Sequence, residues 1–200
     1  MHTAFVIFEG MTALDFVGAY DPLTRLRTMR LREDFAWDVC ALTDEVRDTT
    51  GLRFAPTRVR EPLDTYDLLV VPGGYGTREL TEDAAFLGWL RTAAACELKA
   101  SVCTGSLLLG AAGLLKGRRA TTHPSASEDL KKFCAVSAGR VVDEGVVITA
   151  GGVTSAIDLG LHLCERLAGA GAREKIRTQM DYRRGRKWRR ADSVTHVNSD

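Results

Sequence analysis

Of the residue types that do chemistry, cysteine is the one whose placement in this chain sets one copy apart from the rest. Five cysteines stand at positions 40, 96, 103, 134 and 164. They form no C-x-x-C pair and no metal-ligand spacing, so no metal is implied, and their odd number argues for reduced thiols in a cytoplasmic setting rather than a closed disulfide framework. Cys40, Cys96, Cys134 and Cys164 fall inside apolar strand-like or helical runs, where a cysteine packs as a small hydrophobe. Cys103 falls at a junction instead. In Ala100-Ser101-Val102-Cys103-Thr104-Gly105-Ser106-Leu107 a short strand stops at the cysteine and a helix begins near Gly105. That is the strand–turn–helix logic of a nucleophile elbow, with Ser101 standing where the pattern has its leading glycine. At a helix N-terminus the dipole and the free N–H groups favour thiolate over thiol, so Cys103 is expected to have a lowered pKa and to act as a nucleophile.

A second glycine turn, Val70-Val71-Pro72-Gly73-Gly74-Tyr75-Gly76, closes an earlier strand in the same way. In an open parallel sheet the loops at the carboxyl ends of neighbouring strands converge, so the Gly74 and Thr104 N–H groups are expected to face the reacting carbon and stabilise a developing anion. G-x-G-x-x-G is absent and the turn comes late in the chain, so no dinucleotide is implied, and no other cofactor is indicated.

The elements that must hold these turns read as follows. Short apolar runs at Thr3 to Phe8, Trp37 to Leu42, Leu68 to Val71, Ala100 to Val102 and Val146 to Ala150 suit strands buried on both faces. Helix-period segments lie between them, giving the βαβ alternation of an α/β fold with a mostly parallel sheet. Thr12 can cap a helix from Ala13 into the twenties, with Asp15 in its first turn and Leu14, Val17 and Leu26 inward. Asp83 to Ala95 and Thr154 to Leu167 carry apolar residues at helical spacing, and Val46 to Pro56, around Thr49-Thr50-Gly51, reads as a hairpin or a short antiparallel excursion. At 200 residues the chain is the size of one domain. Its 27 basic and 26 acidic residues set up no field to attract nucleic acid or a membrane surface. Its longest uncharged stretch, between Lys99 and Lys116, is shorter than the ~20 residues a spanning helix needs.

Five motifs then bring a family into view: Gly10-Met11-Thr12-Ala13-Leu14-Asp15, Val71-Pro72-Gly73-Gly74, Ser101-Val102-Cys103-Thr104-Gly105, Ala112 to His123, and Thr149 to Asp158. On these the chain resembles the PfpI/ThiJ superfamily, with its class I glutamine amidotransferase-like fold, and within it the isonitrile hydratases. The resemblance covers about residues 1 to 180. It implies a flavodoxin-like three-layer sandwich over 1–182 that forms a homodimer, with Cys103 as nucleophile and Asp15 reaching its sulfur from the first helix. It implies hydration of a small isonitrile to an N-substituted formamide, with Thr104, Gly73, Gly74 and His123 around the substrate. His123 serves equally well as a hydrogen-bonded structural histidine, and Asp158 reads as a helix or pocket-support residue. Many relatives with other activities carry glutamate where Asp15 stands. Protease-like and glyoxalase-like members often have histidine where Thr104 stands, which counts against a glyoxalase or deglycase. Two non-enzymatic alternatives remain. A ligand-sensing regulator needs a further DNA-binding module of roughly a hundred residues, which this chain is not expected to carry. A redox sensor needs a low-pKa, accessible Cys103. The chain departs from its relatives at 183–200, where Arg183-Arg184-Gly185-Arg186-Lys187-Trp188-Arg189-Arg190 reads as a solvated basic tail rather than a nucleic-acid contact.

Overall fold

The apolar runs become strands of one sheet in a computed structural model that describes residues 1–183; the basic tail, Arg183 apart, lies outside the described residues. In chain order the elements are β1 (His2–Val6), α1 (Ala13–Thr28), β2 (Ala36–Ala41), β3 (Val46–Arg47), β4 (Arg53–Phe54), β5 (Arg58–Val59), β6 (Leu68–Val71), α2 (Thr77–Leu80), α3 (Ala84–Arg91), β7 (Leu98–Val102), α4 (Gly105–Ala111), β8 (Arg119–Ala120), α5 (Ser127–Leu130), β9 (Ala135–Val136), β10 (Val141–Asp143), β11 (Val147–Ala150) and α6 (Ser155–Gln179). Every residue of β6, β7 and β11 is buried, as strands covered on both faces require.

The main sheet runs β10-β11-β7-β6-β1-β2-β5. All its pairings are parallel except β10 with β11. From β1 the chain steps to β2 in one direction, whereas β6, β7 and β11 advance in the other. Right-handed crossovers therefore put α1 on one face and α3 and α4 on the opposite one. This is the flavodoxin-like sandwich, and its strand order reverses between β1 and β6. Loops leaving those strands diverge, opening the crevice where ligands of such sheets sit.

Helix α1 packs tightly on α6 because two glycines allow it. A Cβ on Gly18 would lie 2.7 Å from the Ala156 Cβ, and one on Gly160 would lie 2.9 Å from Pro22. The inward face of α1 consists of Asp15, Phe16, Ala19, Leu23 and Leu26. Leu14 and Val17, expected inside, are 45% and 42% exposed. Docking α1 through Gly18 sets its rotation, and the 3.6-residue period then turns positions 14 and 17 outward.

The other expected elements form with adjusted ends. Asp83 caps α3 by accepting from the Ala85 and Phe86 N–H groups at 2.8 and 3.0 Å, and a 3₁₀ turn at Thr92–Ala95 completes that segment. Helix α6 runs twelve residues past the expected end at Leu167, with a break at Gly169, whose φ is 84°. The hairpin is β3–β4, its tip tied by the Asp48 carboxylate to the Thr50 and Leu52 N–H groups. Among the described residues no helix is long and apolar enough to cross a membrane.

Candidate active site

Three loops meet at the crevice. Residues after β1 (Gly10 to Thr12) pair with the turn after β6: the Thr12 N–H donates to the Gly73 carbonyl at 2.8 Å and the Gly76 N–H to that of Gly10 at 3.1 Å. The Gly74 backbone has φ 142°, and a Cβ there would lie 2.4 Å from the Gly10 oxygen, so only glycine fits. The turn after β7 completes the set.

Cys103 occupies that last turn with φ 54°, in the left-handed region that a cysteine enters only under constraint, at a cost of roughly 1–3 kcal/mol. The constraints are visible. Its N–H donates to the Ala150 carbonyl of β11 at 2.9 Å, and its carbonyl accepts from the Thr122 and Ser106 hydroxyls at 3.0 and 3.1 Å. Gly105 lets the start of α4 press against the neighbouring strand end, since a Cβ there would meet the Val71 and Pro72 oxygens at 2.4 and 2.6 Å. These contacts build the expected elbow and hold the sulfur at the crevice floor.

Asp15 reaches the same point from the first turn of α1. Its side chain is fully buried; Oδ2 accepts from the Gly73 N–H at 2.9 Å, and Oδ1 has no hydrogen-bond partner among the described residues. Burial pushes its pKa up from 3.8 to about 7, against the weaker pull of the Gly73 bond and of the Cys103 thiol beside it. The proton it takes up belongs on the unpartnered Oδ1.

Two expectations are corrected here. The Cys103 pKa is raised to about 12, not lowered, because burial and the adjacent Asp15 charge outweigh the help of the Thr104 N–H and hydroxyl. The seven-residue α4 is too slight a dipole to reverse that balance. The glycine N–H groups are also not free for substrate. Gly73 donates to Asp15, and Gly74 donates at 3.0 Å to the Thr104 hydroxyl, which in turn donates to the Gly74 carbonyl at 3.2 Å. Gly73, Gly74 and the Thr104 hydroxyl thus brace the acid and the two turns against each other. The Thr104 N–H remains directed at the sulfur.

Above the sulfur is a cavity of about 180 Å³ lined by Cys103, Thr104, Gly74 and His123, and also by Thr12, Tyr75, Arg78, Ser125 and Val153. His123 caps the 3₁₀ turn that follows it, its Nδ1 accepting from the Ser125 N–H at 3.2 Å, so it is wall and structural support together. Asp158 sits elsewhere, held by Arg140 and Tyr182, which matches its expected supporting role. Among the other cysteines, Cys40, Cys96 and Cys164 are buried as expected, but Cys134 is only partly so. Sequence reasoning missed Thr122 and Ser106, which pin the elbow carbonyl, and Tyr75 and Arg78 on the cavity wall. The only signal for the last two was an aromatic inside a glycine turn at a strand's carboxyl end and a cation three residues further on. Among the described residues no group of three or more His, Cys, Asp and Glu is placed to hold a metal ion.

A doubly wound sheet with a strained cysteine on a strand–turn–helix elbow and a buried carboxyl at the reversal of strand order defines an α/β protein of the flavodoxin-like class. Residues 1–166 match the DJ-1/PfpI family, and the chain belongs to it. It is 37% identical over 185 residues to the isonitrile hydratase of Pseudomonas putida, spanning 91% of this chain and 78% of that enzyme. It is 31% identical over 171 residues to an HTH-type transcriptional regulator of Pseudomonas aeruginosa, matching 82% of this chain but 50% of the regulator. A crystal structure of a ThiJ/PfpI family protein from Pseudomonas syringae superposes with a TM-score of 0.84 at 32% identity, covering 94% of this chain and 77% of that one.

Proposed function

We propose that the protein is an isonitrile hydratase in which Cys103 and Asp15 add water to R–N≡C and release the N-substituted formamide. The observation that carries this reading is the pairing of a neutral, strained cysteine with a buried carboxyl whose pKa lies near 7. The likeness to the Pseudomonas putida enzyme along 91% of the chain supports it.

An isonitrile carbon must gain both a nucleophile and a proton, and this pair holds both. The Asp15 carboxylate takes the Cys103 proton as sulfur bonds to carbon, then delivers it to that carbon, leaving the thioimidate R–N=CH–S–Cys103. The Thr104 N–H steadies the charge on sulfur during this step. Water then adds to the same carbon, Asp15 taking one of its protons and passing it to the imine nitrogen to give R–NH–CH(OH)–S–Cys103. As this adduct collapses to R–NH–CHO, Asp15 takes the hydroxyl proton and hands it to the departing sulfur. Every proton removed is returned, so no cofactor is called for.

The measurement that tests this is formamide production from a simple isonitrile by the protein and by its Cys103→Ala variant. Cysteine-dependent product is expected; equal product from both, or none from the unaltered protein, overturns the reading.

The protein is further read as a homodimer. Leu14 and Val17 on α1 and Leu52 in the adjoining β3–β4 hairpin are 45%, 42% and 56% exposed, an apolar surface suited to a second copy. A cytoplasmic location accords with five free cysteines.

A further inference from the structure

The isonitrile group is small, linear and uncharged, so it offers the protein little to grip. The binding energy that positions it must come from the rest of the substrate. The cavity wall indicates what that remainder is. Tyr75 is 75% exposed at the cavity, and the Arg78 guanidinium lies 5.5 Å from its ring centroid. Stacking on an aromatic face fixes the plane of a guanidinium while leaving its N–H edge free. Among the described residues the Arg78 side chain forms neither a salt bridge nor a hydrogen bond. Asp129 feels its charge, but that carboxylate is held by Lys132 at 2.9 Å.

The other polar side chains on this wall do not compete for Arg78. Thr12 brings a hydroxyl, and His123, whose Nδ1 accepts from the Ser125 N–H at 3.2 Å and from its hydroxyl at 2.8 Å, has an N–H to offer at Nε2. No carboxylate lines the cavity. A wall of a hydroxyl, an N–H and an unpaired guanidinium is built for an anion. Tyr75 and Val153 supply the apolar contact for a short linker, and about 180 Å³ admits only a small molecule.

We infer that the preferred substrates are small isocyano carboxylates, with Arg78, oriented by Tyr75, receiving the carboxylate. Hydration then yields the N-formyl amino acid. Arg78 is a specificity-determining residue here, and this inference rests on the hydratase reading above.

The experiment compares isocyanoacetate with its methyl ester, which removes the charge and keeps the isonitrile. The unaltered protein is expected to favour the acid in kcat/KM. Arg78→Met, which keeps an unbranched side chain beside Tyr75, is expected to lower the acid-to-ester ratio by about tenfold, with Arg78→Lys intermediate. A ratio unchanged in Arg78→Met, or an unaltered protein that prefers the ester, overturns the inference while leaving the hydratase reading in place. Failure to hydrate either compound counts against the hydratase reading instead. The carboxylate is then judged by calorimetry with N-formylglycine and its methyl ester: the acid must bind more tightly, and Arg78→Met must erase the difference, or the inference fails.

Discussion

Replacing Asp15 by asparagine is expected to make the protein more stable at alkaline pH while stopping its chemistry. The magnitude follows from the burial of the carboxyl. A shift from 3.8 to about 7 is roughly 3 units, and at about 1.4 kcal/mol each the ionised form costs the fold on the order of 4 kcal/mol. The side chain is fully buried, so solvent does not screen this. Below the ordinary carboxylate range folded and unfolded chains both hold the proton and the penalty vanishes. Between 3.8 and about 7 only the folded chain holds it, so stability falls as pH rises, and above about 7 the full penalty is present. An asparagine Oδ1 can still accept from the Gly73 N–H, but its amide N–H₂ must be buried where Oδ1 now lacks a partner, at a cost of roughly 1–2 kcal/mol. The net gain at pH 8 is therefore about 2–3 kcal/mol. Urea unfolding of both proteins at intervals from pH 4 to pH 8 reads it, as a gap that opens with rising pH. Parallel curves, or a variant less stable than the parent at pH 8, would refute the assignment of a buried, proton-binding carboxyl.

Three further outcomes follow from the same geometry. The kcat/KM for isonitrile hydration should rise as pH rises through about 7, because Asp15 must be ionised to accept the thiol proton, and a flat profile between pH 6 and 8 contradicts that role. Gly105→Ala should destabilise the fold by about 2–4 kcal/mol in denaturant titration, since its Cβ would strike two backbone oxygens that belong to the neighbouring turn. The proposed homodimer should fall to monomer in Leu14→Glu by light scattering; a monomeric parent refutes the dimer, and a variant that keeps the dimeric mass would place the interface elsewhere.

The sequence was most legible where one physical rule dominates. Strand runs with no polar residue, such as Leu68 to Val71, can only be buried on both faces, and from them the parallel sheet and the crevice at its carboxyl edge follow. The elbow was legible because a strand, a cysteine and a glycine adjoin in the chain. What failed had to be decided by groups far apart in sequence. Leu14 and Val17 turn outward because Gly18 meets Ala156 across the molecule. The Gly73 and Gly74 N–H groups were free in local reasoning, but Asp15 and Thr104 claim them from 58 and 30 residues away. The dipole argument for a lowered cysteine pKa was sound locally, and was overruled by desolvation and by a carboxyl that no window around Cys103 contains.

That reversal separates catalysis from sensing. A redox-sensing cysteine works as a standing thiolate, exposed and readily oxidised. Cys103 is 6% exposed, and the neighbouring Asp15 charge helps hold it as a thiol. At neutral pH the sulfur keeps its proton while the Asp15 carboxyl stands near the midpoint of its own titration, ready to take or give one, which suits a reaction that must deliver a proton to carbon and poorly suits spontaneous oxidation. Asp15→Asn removes the charge that raises the thiol, so the Cys103 pKa must fall in the variant. Alkylation of Cys103 by iodoacetamide at pH 7 should therefore be faster in Asp15→Asn than in the parent, while isonitrile hydration drops at least about a hundredfold. Reactivity and catalysis would then move in opposite directions under one substitution. Slower alkylation in the variant would mean that the resting proton sits on Asp15 with sulfur as thiolate, and the first step would have to be rewritten with Asp15 as acid.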